Sequence, residues 1–134
     1  MSEFRVPALR IRQGEKRQLY SLAIEGKQIS KIAAISRIRR GDENLVGYQR
    51  PEVRSHIKEI QRYIESANPM IPNPVIIAFD QRVRFEPLLE NSDMGHLVIP
   101  YSEEANFDKP GFIVDGQQRT AALREADINS FMMP

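Results

Sequence analysis

Residues 111–123 read Gly-Phe-Ile-Val-Asp-Gly-Gln-Gln-Arg-Thr-Ala-Ala-Leu, and no other stretch restricts the fold as much. Phe112 to Val114 is an apolar strand pattern, Asp115-Gly116 is a turn signal, and Gln117 to Ala126 follows as a helix. Ala121, Ala122, Leu123 and Ala126 supply the buried side of that helix. A glycine at the junction frees the backbone to turn sharply and lets a ligand approach closely. The helix start presents unpaired N–H groups and a partial positive charge to any anion. Gln117 and Gln118 offer donors and acceptors, and Arg119 can grip phosphate oxygens in a bidentate way. Asp115 is suited to cap the helix or to help hold a divalent cation beside a triphosphate. An Asp-Gly turn alone is an ordinary connection. Two amides and an arginine at a helix start turn the reading towards a site.

The rest of the chain reads as mixed α and β structure. Phe4 to Ile11 suits a strand, residues 13–16 a turn, and Arg17 to Ile24 a second strand with Tyr20, Leu22 and Ile24 on one side. Gly26-Lys27 closes this hairpin. Ile29, Ile32, Ile35 and Ile38 fall three apart, yet the segment is β-branched, and a short turn followed by a strand is expected over residues 28–38. The clearest helix runs from Pro51 to Ala67, where Val53, Ile57, Ile60 and Ile64 form one apolar stripe. Pro51 suits the first helical position, and Glu52 suits the positive end of the helix dipole. Val75 to Phe79 is a buried-strand pattern with which residues 81–85 could pair. A short strand is expected at residues 96–99, and residues 128–134 begin another apolar strand. That element at the chain end suggests a single domain over residues 1–134 that forms the N-terminal part of a longer protein.

Composition excludes several classes. The chain of 134 residues contains no cysteine, so it has no disulfide, thiol nucleophile or cysteine-ligated metal. His56 and His96 are its only histidines. His56 sits on the helix near its surface without an evident catalytic partner, and His96 falls in a polar stretch. No apolar run approaches the roughly 20 residues of a membrane span, and residues 1–5 carry no secretory pattern. A cytoplasmic protein with no membrane partner is expected. Residues 1–40 hold ten Lys/Arg against three Glu, and the remainder nine against fifteen acidic residues. Such segregation fits either a phosphate-backbone surface or a solvated basic hairpin. Glu86, Glu90 and Asp93 read as a solvated acidic patch.

A second constellation, Gly47-Tyr48-Gln49-Arg50, precedes the long helix. Tyr48 is able to stack on a base and Arg50 to reach a phosphate or a carboxylate. Equally, Tyr48 suits the core and Arg50 the solvent.

The order of these segments resembles the ParB/sulfiredoxin-type domain, a mixed α+β fold. Gly116-Gln117-Gln118-Arg119 falls where ParB-like proteins carry Gly-Glu-Arg-Arg and sulfiredoxins Gly-x-His-Arg. Residues 47–50 together with Asp115 to Leu123 resemble DGQHR-domain proteins, among them the DndB and DpdB proteins of bacterial DNA modification systems (phosphorothioate and 7-deazaguanine). GmrSD-type restriction proteins carry a similar turn. The chain departs from the DGQHR pattern at Gln118, where histidine would stand, and glutamine is neither acid nor base at neutral pH.

What the resemblance implies is a nucleotide-binding domain, an ATPase acting on ATP or another NTP with Mg²⁺. Asp115, Gln118 and Arg119 would be catalytic, with Asp115 also on the metal. Gly116, Gln117, Thr120, Tyr48, Gln49 and Arg50 would bind the nucleotide. Arg10, Arg12, Lys16, Arg17, Arg37, Arg39 and Arg40 would face DNA. Partners would include other proteins of the modification system, and self-association into a homo-oligomer stays open. Two alternatives remain: a non-enzymatic DNA-binding regulator of such a system, and a ParB-like DNA-nicking nuclease. The latter lacks an evident cluster of carboxylates or histidines for two metals.

Overall fold

The computed structural model describes residues 2–34 and 51–134. The alternating N-terminal segment forms β1 (Ser2–Gln13), with Val6 and Ala8 turned to the core and Leu9 and Ile11 exposed. A turn at residues 14–16 returns it as β2 (Arg17–Leu22), paired antiparallel from Gln13 with Arg17 to Ala8 with Leu22. The expected N-terminal hairpin is present within an α+β fold. There follow β3 (Ile24–Glu25), a 3-10 turn (Gly26–Gln28), the single helical turn α1 (Ile29–Ile32) and β4 (Ala33–Ala34).

That segment follows the expected order of a short turn and then a strand over residues 28–38, with the turn helical and Ala33–Ala34 the described part of the strand. Ile29 and Ile32 share one side of a helical turn and are fully buried, at 0% and 1% exposure, so burial of the three-residue spacing prevails over β-branching. Residues 35–38 of that expectation lie outside the described residues.

The stripe at Val53, Ile57, Ile60 and Ile64 forms α2 (Pro51–Ile64), with Ile57 and Ile64 buried and Val53 and Ile60 packed against the core. Strands β5 (Ile76–Phe79), β6 (Arg84–Pro87), β7 (Met94–Tyr101) and β8 (Gly111–Asp115) lead to α3 (Gln117–Glu125) and β9 (Met132–Met133). His96 lies inside β7, where the short strand over residues 96–99 was expected.

The described strands form three sheets, in the orders β2-β1-β7-β6, β4-β8-β5 and β3-β9. Residues 81–85 do not pair with β5. Val83 N–H closes a turn on Asp80 O at 3.2 Å, and Arg82 clasps the Asp80 carboxylate at 2.8 Å. This turn swings β6 onto β7, with Arg84 opposite Val98 and Pro87 opposite Gly95. The partner of β5 is β8, antiparallel, with Ile76 opposite Asp115.

Helix α3 is the centre of the core. Thr120, Ala121, Ala122 and Leu123 are all buried, and the two alanines let neighbouring elements approach closely. Its C-terminal end is fastened from two sides. Lys27 Nζ donates to Ala126 O at 2.6 Å and to Arg124 O at 3.3 Å, a cation placed where the helix dipole favours one. From α2, Gln61 donates to Glu125 O and Glu65 accepts from Asp127 N–H at 2.8 Å. The opposite end of α3 is the site.

Candidate functional site

The turn between β8 and α3 is held by backbone geometry. Gly116 has φ 100° and ψ 21°, in the left-handed region that disfavours side chains. A Cβ there would lie 3.0 Å from Val75 Cγ2 and 3.1 Å from Arg119 Nη2. The first helical bond runs from Thr120 N–H to Gly116 O at 2.9 Å, so the N–H groups of Gln117, Gln118 and Arg119 stand outside the helical ladder. Gly116 is itself the residue at the N-cap, so Asp115 does not cap the helix as its position in sequence suggested.

The side chains of this run divide into two groups. Gln117 Nε2 turns back to Ile113 O at 3.2 Å and Val114 O at 3.3 Å. The Thr120 hydroxyl donates to Gly116 O at 3.0 Å and is fully buried. Both groups serve the turn. The Asp115 carboxylate is exposed, and neither it nor the half-buried Gln118 amide has a hydrogen-bond partner among the described residues.

Arg119 joins the turn to a cleft. Its Nη2 donates to Pro74 O at 2.8 Å and its Nε is buried with no partner among the described residues. An unpaired buried N–H is costly. Arg119 lines an open cleft of about 360 Å³ with His56, Glu59, Ile60 and Tyr63 of α2 and with Ile71. Of these, the sequence marked Arg119 as a site residue, His56 as a surface residue and Ile60 as part of the apolar stripe, and did not single out Glu59, Tyr63 or Ile71. Among the described residues, no group of three or more His, Asp or Glu stands where it could hold a metal ion. A lone Asp115 still suits Mg²⁺, which is commonly held by one or two carboxylates together with phosphate oxygens.

Tyr48, Gln49 and Arg50, and likewise Arg37, Arg39 and Arg40, lie outside the described residues. The other basic positions are unequal. Arg10 and Arg12 both bind Asp93, at 3.2 and 2.9 Å, and Arg10 also donates to Ser92 O and stacks over Phe85. The two guanidiniums hold the Asp93 carboxyl below its ordinary range, Arg12 more than Arg10. Lys16 and Arg17, at the exposed hairpin tip, have no ion-pair partner among the described residues. Of the acidic patch, Glu86 and Asp93 are engaged in ion pairs rather than merely solvated, whereas Glu90 is exposed. Glu86 pairs with Arg5 and Arg84, and Arg84 with Glu3, over the fully buried Val98. On α2, Arg54, Lys58 and Arg62 recur every four residues and are exposed without ion-pair partners among the described residues. Among the described residues no helix is long and apolar enough to cross a membrane.

No curated protein and no solved structure matches the chain. Residues 6–130 match the family described as DndB: DNA-sulfur modification-associated, a span that includes every described element of the site. This match covers nearly the whole chain, so the chain belongs to the DndB family of DNA-sulfur modification-associated proteins, with a role in a bacterial DNA-sulfur modification system.

Proposed function

We propose that this chain is a nucleotide-binding domain of ParB/sulfiredoxin type, and an ATP or NTP hydrolase, that acts on DNA within its modification system. The observation that carries the reading is Arg119, a guanidinium packed against a left-handed glycine, with a buried Nε unpaired among the described residues and an open cleft beside it. Triphosphate oxygens supply acceptors for that guanidinium and for the N–H groups of the first turn of α3. The exposed Asp115 carboxylate faces a Mg²⁺ that arrives with the triphosphate, and the Gln118 amide orients the attacking water. Arg119 neutralises charge that develops on the transferred phosphoryl group. Lys16 and Arg17 at the hairpin tip contact DNA.

The test is thermal stability with ATP, CTP or GTP and Mg²⁺, alongside phosphate release. A ligand at 100 times its Kd adds about 2.7 kcal/mol, which raises the Tm of a chain this size by roughly 9 °C. Arg119→Ala is expected to fold, to lose that shift and to lose turnover. Unchanged turnover in Arg119→Ala refutes the assignment.

A DNA-binding regulator that uses no nucleotide is the second reading. It is favoured by the basic row Arg54, Lys58 and Arg62 on α2, without ion-pair partners among the described residues, together with Lys16 and Arg17. A stability shift produced by duplex DNA alone, weakening steeply with salt, would favour it.

A further inference from the structure

Resting on the nucleotide reading above, we propose that the cleft between α2 and Arg119 is a base subsite. The flat base of a nucleoside triphosphate stacks on the ring of Tyr63 while Arg119 holds the phosphate end.

Tyr63 is the central observation. The residue is 47% exposed, yet its side chain is not free to move. The hydroxyl donates to Met70 O at 3.0 Å and accepts from Met70 N–H at 2.8 Å. Both bonds spend the polar end of the side chain on the backbone, so what remains for a ligand is a fixed aromatic face. A surface ordered in advance binds with little further loss of entropy. Aromatic faces held in this way are platforms for bases, because every base has a π-face.

The remaining lining fits the same occupant. Ile60 and Ile71 make the cleft walls apolar, which suits the faces of a base. His56 and Glu59 stand at the rim, 3.9 Å apart and both largely exposed, and supply hydrogen-bonding groups for its polar edge. Arg119 belongs to the cleft and to the Gly116 turn at once, so one ligand that carries both a base and a phosphate satisfies both. A volume of about 360 Å³ lies at the small end of ligand pockets. A backbone phosphate of DNA, or a bare polyphosphate, would engage the turn and leave Tyr63 untouched.

The experiment measures Kd for ATP, CTP, GTP and inorganic tripolyphosphate, each with Mg²⁺, on the whole chain and on Tyr63→Leu and His56→Ala. The best nucleotide is expected to bind at least about tenfold more tightly than tripolyphosphate, the usual worth of one stacked base. Tyr63→Leu should remove most of that advantage and leave tripolyphosphate binding unchanged. His56→Ala alters an exposed rim residue, retains the fold, and should weaken the nucleotide alone by a few fold. It decides the matter if Tyr63→Leu does not fold. Equal binding of nucleotide and tripolyphosphate overturns the base subsite and leaves the phosphate reading standing. So does nucleotide affinity that neither variant alters. If no nucleotide and no tripolyphosphate binds, the nucleotide reading itself falls and the subsite with it.

Discussion

Two glycines in the chain allow the geometry of the site turn to be tested against an internal control. Gly116 and Gly14 both adopt positive φ, 100° and 71°. An alanine at either position accepts a left-handed backbone at a cost of about 1–2 kcal/mol. The two positions differ in surroundings. A Cβ at Gly14 meets nothing within 4 Å among the described residues, whereas one at Gly116 meets Val75 Cγ2 at 3.0 Å, Arg119 Nη2 at 3.1 Å and Val75 Cα at 3.3 Å. Val75 cannot easily retreat, because its N–H is bonded to Pro134 O at 3.1 Å and its neighbour Ile76 pairs with Asp115. Overpacking of this kind adds roughly 1–3 kcal/mol. Gly14→Ala should therefore lose about 1–2 kcal/mol and Gly116→Ala roughly 2–5 kcal/mol. With an unfolding entropy near 2.1 cal/mol/K per residue, these losses correspond to roughly 4–7 °C and 7–18 °C in Tm. Urea unfolding and thermal circular dichroism of the two variants measure the difference directly. Gly116→Ala should also displace the Arg119 guanidinium and weaken phosphate binding, which Gly14→Ala should spare. Equal stability loss in the two variants would refute the close approach at Gly116.

Leu123 is fully buried at the centre of α3, and Leu123→Ala should lower stability by about 2–5 kcal/mol, seen as a lower urea midpoint at unchanged slope. Lys27→Met removes the cation bonded to the last carbonyls of α3 and should cost about 1–2 kcal/mol in the same assay, with phosphate binding at the far end of the helix retained. Burial pushes the Glu25 carboxyl up, but hydrogen bonds from Ser130, Phe131 N–H and Lys27 N–H and the Lys27 charge outweigh it, so its pKa lies below the ordinary value of 4.5. A lowered folded pKa means that the unfolded chain takes up protons first, so this stabilisation is complete above about pH 4.5 and is lost as pH falls through the folded value. Glu25→Gln should accordingly be less stable than the parent at neutral pH, and the gap should narrow below pH 4.5 in an acid series. A gap that stays constant to pH 3 would count against the carboxylate as its source.

The elements legible in the sequence are those whose pattern is local. Strands β1, β2 and β8 and helices α2 and α3 each carry their own period, and each was found within a few residues of its observed bounds. What escaped depends on partners distant in sequence. One helical turn with isoleucines three apart is compatible with either a strand or a helix, and only the depth of burial at Ile29 and Ile32 decides it. The partner of β6 is chosen by the Asp80–Arg82 clasp, which redirects the chain from one sheet to another. Strand β9 was expected within residues 128–134, but its length was not legible: only Met132 and Met133, the two residues that pair with Ile24 and Glu25, form it.

The site shows the same division at the level of single side chains. A sequence counts donors and charges, and the fold decides which remain available. Helical side chains lean towards the N-terminus of their own helix. Gln117 consequently reaches Ile113 O and Val114 O, and Thr120 reaches Gly116 O, whereas the Asp115 and Gln118 side chains have no hydrogen-bond partner among the described residues. In the basic third of the chain Asp93 engages Arg10 and Arg12 and leaves Lys16 and Arg17. The α2 wall of the cleft was, by contrast, recoverable. The stripe at 53, 57, 60 and 64 fixes which side of α2 meets the core. Residues 56, 59 and 63 repeat at the same intervals one step around the helix, so they must border that contact, beside whatever packs on it. Because α3 packs against α2, the border runs beside Arg119. A sequence stripe that docks a helix thus also names the side chains that line the edge of the dock.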